Sequence, residues 1–100
     1  MYTNPQKLHT HETIELRREA GRWLRERRET LGFSQRQLAE KVGVDYYTFI
    51  SQLETGRGRS PPDKFRVWAE ALRMDVRDFV LELLPFYDPI TYEILFPTNS

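Results

Sequence analysis

Residues Ser34 to Gly56, SQRQLAEKVGVDYYTFISQLETG, decide the fold. Ser34 with Gln37 has the form of a capping box, so a helix starts there. Leu38, Ala39 and Val42 supply its buried stripe, and Gly43 ends it at a sharp turn that Val44 fills from the inside. Asp45 is an expected N-cap for a second helix. In that helix Tyr46, Phe49, Ile50 and Leu53 fall at i, i+3, i+4 and i+7 and are expected to face the core. Tyr47, Thr48, Ser51, Gln52 and Thr55 are left outside, and Gly56 closes the element.

That outer face is polar yet almost uncharged. A helix that needs only to be soluble shows Lys and Glu to water. Thr, Ser and Gln suit a surface that hydrogen-bonds to base edges: Gln pairs with the N6 and N7 edge of adenine, and Ser and Thr bond to any base. Two short amphipathic helices, a glycine turn and this face together read as a helix-turn-helix and as a DNA-binding regulator. Tyr47, Thr48, Ser51 and Gln52 are the candidate base readers, Tyr47 through a base or phosphate contact or packed over the turn. Gln35 and Arg36 open the first of the two helices, where N–H groups and the helix dipole favour a phosphate. Arg57 and Arg59 flank Gly58 in the loop GRGRSPP and are expected to grip the backbone without reading sequence.

Working outward, a charged helix is expected from about His11 to Leu31, with Leu16, Ala20, Trp23, Leu24 and Leu31 mostly on one side. Gly21 weakens it unless a close contact needs the space, and Gly32 stops it. Residues 1–10 read as a loose arm. Pro61 or Pro62 opens a fourth helix carrying Phe65, Trp68, Ala69 and Leu72. Asp75 caps a fifth, striped with Val76, Phe79, Val80, Leu83 and Leu84, and Pro85 is expected to stop it. The tail PFYDPITYEILFPTNS alternates Ile90, Tyr92, Ile94 and Phe96 with Thr91, Glu93 and Leu95, the period of a strand or extended arm.

The bulk properties bound the rest. One hundred residues argue for one domain. There is no Cys, which excludes disulfides and thiolate metal sites. No apolar run reaches the roughly 20 residues of a membrane helix, and the N-terminus lacks a signal peptide's apolar core; a cytoplasmic protein is the expectation. The formal net charge is +0, which counts against indiscriminate nucleic-acid binding. The charge is uneven, however. Residues 69–100 hold two Lys/Arg against six Asp/Glu, so the acid lies away from the proposed DNA face. His9, His11 and Glu12 have no third ligand nearby, so no metal and no cofactor is expected. No nucleophile–base pair or phosphate loop supports an enzyme.

From Gly21 to Phe79 the chain resembles the phage repressor and Cro (XRE) family of helix-turn-helix proteins. The landmarks are Arg28, Gly32, Ser34-Gln35, Leu38-Ala39, Val42-Gly43-Val44, Ile50-Ser51, Leu53-Glu54, Gly56 and the Trp68-Ala69-x-Ala71-Leu72 run. The resemblance implies an all-α fold, a five-helix lambda-repressor-like domain over residues 11–84 with the helix-turn-helix at 34–56. Residues 85–100 fall outside it as a dimerisation or docking tail. The resemblance further implies a structural ion pair between Arg28 and Glu54 that sets the angle of the recognition helix. One departure stands out: from Gly43 to Glu54 there is one residue more than the family's usual spacing, which lengthens the turn or starts the helix earlier.

The resulting expectation is a sequence-specific transcriptional regulator, a repressor that binds double-stranded DNA through the major groove as a homodimer on a palindromic operator. Phe79, Leu83, Phe86, Tyr92, Ile94 and Phe96, with Val80, are the expected dimer contact, because they exceed what so small a core can hide. The alternative is a protein-interaction module, such as an antitoxin, whose tail grips a partner protein by strand addition.

Overall fold

The computed structural model describes residues 5–98, with side chains from residue 12 onward. Among these the chain is helical throughout, the all-α class expected. Its elements are α1 (Pro5–Thr30), α2 (Gln35–Val42), α3 (Thr48–Thr55), a single 3-10 turn (Pro62–Lys64), α4 (Phe65–Ala71), α5 (Val76–Tyr87) and α6 (Pro89–Leu95). Proline suits the first helical position, where no N–H partner is required. Helix α1 begins at such a proline, so the arm expected over residues 1–10 is helical from Pro5; residues 1–4 lie outside the described part.

The core gathers around Trp68 and Phe79, with Leu24, Leu38, Ile50, Leu53, Leu72 and Leu83 sealed beside them. The Phe79 ring lies 5.8 Å from Trp23 and meets Phe65 edge-on at 6.2 Å. Helix α5 thus runs through the middle of the domain, against α1 and α4. This corrects the expected dimer contact: Phe79 and Leu83 are interior residues of one chain. The helices hide more apolar surface than so small a chain suggests, because the 26-residue α1 covers both α3 and α5.

The C-terminal third holds two further corrections. Helix α5 runs through Pro85 to Tyr87. An interior proline forfeits the bond to the carbonyl four residues back and costs about 3 kcal/mol. What offsets it is Tyr87, which the extra turn delivers into the core. There its hydroxyl accepts from Ser60 N at 3.3 Å, while its carbonyl accepts from Arg59 Nη1 at 3.0 Å. The second correction is the tail, which is helix α6 and not a strand. Asp88 caps it by accepting from Thr91 N at 3.2 Å, and Pro89 takes the first position. A strand would have left its backbone without partners, whereas a helix satisfies its own. The alternation Ile90–Tyr92–Ile94–Phe96 becomes two i, i+4 pairs. Tyr92 and Phe96 stack at 5.1 Å, and Ile90 and Ile94 face outward.

Candidate nucleic-acid interface

The capping box at the head of α2 forms as expected: Gln37 N donates to Ser34 Oγ at 3.0 Å, and Ser34 N donates to Gln37 Oε1 at 2.8 Å. Gly43 ends the helix at φ +78°, a left-handed conformation that a side chain resists. Its N–H and that of Val44 both return to the Ala39 carbonyl.

The turn between α2 and α3 spans residues 43–47. Helix α3 starts at Thr48, and Asp45 does not cap it; Tyr47 precedes the helix and offers no capping side chain. Tyr46 therefore sits outside the helix, where the core periodicity has no hold on it. It is 74% exposed instead of buried, a correction to the expected stripe. The stripe proper is Ile50 and Leu53, both sealed, with Phe49 half-buried against them.

On the opposite side Thr48 and Gln52 are exposed and Ser51 is half-buried. The Thr55 hydroxyl turns back to the Ser51 carbonyl at 2.9 Å. Tyr47 is partly exposed, with the Arg36 guanidinium 4.8 Å from its ring centre, so the first turn of α2 and the approach to α3 are joined by a cation–π contact. Arg57 and Lys64 project into water beyond the end of α3.

Two residues expected on phosphates have other partners. Gln35 is half-buried and its Nε2 donates to Glu54 Oε1 at 3.0 Å, leaving only its main chain at the helix start. Arg59 is not loose in its loop. Its guanidinium lies 4.6 Å above the Tyr87 ring and donates to the Tyr87 carbonyl, pinning the loop to the end of α5. Burial raises the Tyr87 phenol above its ordinary value, against the smaller lowering effects of the Ser60 bond and the Arg59 charge.

A buried ion pair joins α1 to α3. Arg28 Nε and Nη2 donate to the two oxygens of Glu54 at 2.6 and 3.0 Å, and Nη1 donates to the Phe33 carbonyl at 2.7 Å. The side chains are 9% and 2% exposed. Hydrogen bonding to Glu54 raises the Arg28 pKa further, against the cost of burial. Nearby, α1 and α3 touch through their backbones. A Cβ on Gly21 would collide with the Leu53 and Glu54 carbonyl oxygens, and one on Gly56 would come within 2.7 Å of Arg18 N.

Residues 19–80 match the family model of the helix-turn-helix domain. The chain belongs to that family. The match takes in α2, the turn, α3 and the buried pair, and identifies a helix-turn-helix DNA-binding protein. No curated protein matches the sequence. Among the described residues no group of acidic or histidine side chains is arranged to hold a metal, and no helix is long and apolar enough to cross a membrane.

Sequence reasoning missed the exposure of Tyr46, although the additional residue in the spacing was the signal for it. It also missed Gln35 as the second partner of Glu54 and the Arg59–Tyr87–Ser60 junction. These join residues 19 to 28 positions apart, for which the sequence carries no local sign.

Proposed function

We propose that this helix-turn-helix protein is a sequence-specific transcriptional regulator of the phage repressor and Cro (XRE) type. It acts in the cytoplasm as a repressor, binding as a homodimer to a palindromic operator. The observation that carries this is the uncharged face of α3: Thr48 and Gln52 in water, Ser51 at their edge, cations at both ends, and Ile50 and Leu53 buried behind it. Eight residues of helix make a rod about 12 Å long. A major groove about 12 Å wide admits it. Thr48, Ser51, Gln52 and Tyr47 read bases. Arg36, Arg57 and Lys64, with the main chain at Gln35, hold phosphates and fix the register.

Two such helices related by a two-fold axis meet half-sites about 34 Å apart. With Phe79 and Leu83 used internally, the self-contact falls to α6 and its neighbours: Phe86 and Tyr92 at the edge, Ile90, Ile94, Leu95 and Phe96 outside. The same exposed apolar side of α6 favours a second reading, in which a different protein docks there. Sedimentation of the purified chain separates them: a dimer supports self-association, and a monomer at micromolar concentration favours a foreign partner.

The central test is unbiased selection of bound DNA from a random pool, repeated with Gln52→Ala. The expected result is a palindromic consensus that Gln52→Ala relaxes at one or two positions per half-site. An unchanged consensus at unchanged affinity overturns the role given to Gln52.

A further inference from the structure

Tyr46 accepts from Phe49 N through its carbonyl at 3.2 Å, while its ring is left in water. It is the most exposed large side chain of the turn, at 74%, and it lies outside α3, which starts at Thr48. A bulky ring held in water is a cost that a small or polar turn residue would avoid. The ring stands as a ridge between two depressions. One, of about 360 Å³, lies toward Arg36 and Tyr47. The other, of about 380 Å³, is lined by Asp45, Tyr46, Thr48, Phe49, Gln52 and Lys64 among others.

The second depression has a mostly apolar lining, the hydrogen-bonding side chains of Thr48 and Gln52, and two opposite charges, Asp45 and Lys64. This combination fits one feature of the major groove. Thymine presents a C5-methyl group beside its O4 acceptor, and proteins meet that methyl with apolar side chains. We propose that Tyr46 is a specificity-determining residue whose ring closes over a thymine methyl seated between it and Thr48 and Gln52, with Lys64 on the adjoining phosphate. The inference rests on the base-reading role of α3 and adds to it a contact supplied by the turn.

The test replaces each thymine of the selected operator by deoxyuridine, which removes the methyl and leaves every hydrogen-bonding group in place. Binding of the full chain is measured beside Tyr46→Ala and Tyr46→Phe. Tyr46 is exposed, so neither variant disturbs the core. The wild type is expected to lose about fourfold in affinity at one thymine per half-site, the equivalent of burying one methyl. Tyr46→Phe keeps that sensitivity, because the ring remains. Tyr46→Ala binds the thymine operator less tightly and no longer distinguishes deoxyuridine at that position. If Tyr46→Ala loses as much as the wild type at every substituted thymine, the methyl is read by another residue and the assignment fails. If the wild type selects a consensus but no thymine is sensitive, Tyr46 fails while the reading role of α3 stands. If no sequence is enriched, both fall together.

Discussion

Arg28→Ala should cost about 3–5 kcal/mol, the penalty for stranding one partner of a buried ion pair. The geometry places it in that range. Glu54 is 2% exposed and receives two of its three side-chain bonds from Arg28, so the substitution leaves a carboxylate in the interior with Gln35 alone. It also strips the Phe33 carbonyl of its guanidinium donor. A domain of this size holds roughly 5–15 kcal/mol in total. The variant should therefore be marginal at room temperature. With a urea m-value near 1.5 kcal/mol per M, its midpoint should fall by about 2–3 M. Glu54→Ala should be comparable. The double variant should cost no more than the worse single one, because both singles delete the same contact. A loss below about 1 kcal/mol for Arg28→Ala would place the pair among exposed, solvated ones. Single losses that add up in the double variant would be equally damaging to the reasoning.

Gly21→Ala should destabilise by about 1–3 kcal/mol in the same urea assay, although alanine is the better helix former, because its methyl has no room against the α3 carbonyls; a gain in stability would contradict the close approach. Arg57→Ala should lower the slope of log affinity against log salt by about 1 at unchanged stability. Arg59→Ala should do the reverse, losing about 1–2 kcal/mol of stability through its bond to Tyr87 while the slope holds. The carboxyl of Asp88 sits below its ordinary value because Thr91 donates to it. A depressed acid stabilises the charged form, so the cap is intact above the unfolded value and is lost as pH falls through the folded one. NMR should show the Thr91 amide losing protection in step with that carboxyl as the solution is acidified, and not at neutral pH.

Much of this was legible because the signals are local. The Ser34–Gln37 box, the left-handed Gly43 and the inward pair Ile50 and Leu53 each follow from residues within a turn or two of one another. The Arg28–Glu54 pair came from family resemblance, and only coordinates show how deeply it is buried. Alternation misled in the tail, since residues two apart also generate i, i+4 pairs. The Asp88-Pro89 sequence, a cap followed by a proline, was the better guide to a helix there. Pro85 misled because the gain from seating Tyr87 lies elsewhere in the chain. Arg59 looked free for the same reason: its partner is 28 residues away.

The glycine contacts at positions 21 and 56 leave no cushion of side chains between α1 and α3, and the buried pair adds a bolt. A recognition element mounted this stiffly has little scope to tilt in search of a better fit. On the proposed DNA-reading role, strain in the bound state would then pass to the duplex, which would bend or twist to meet a fixed surface. Stiffness differs from one base step to the next. On that proposed role, part of the preference would be written at base pairs that none of the protein's atoms reaches.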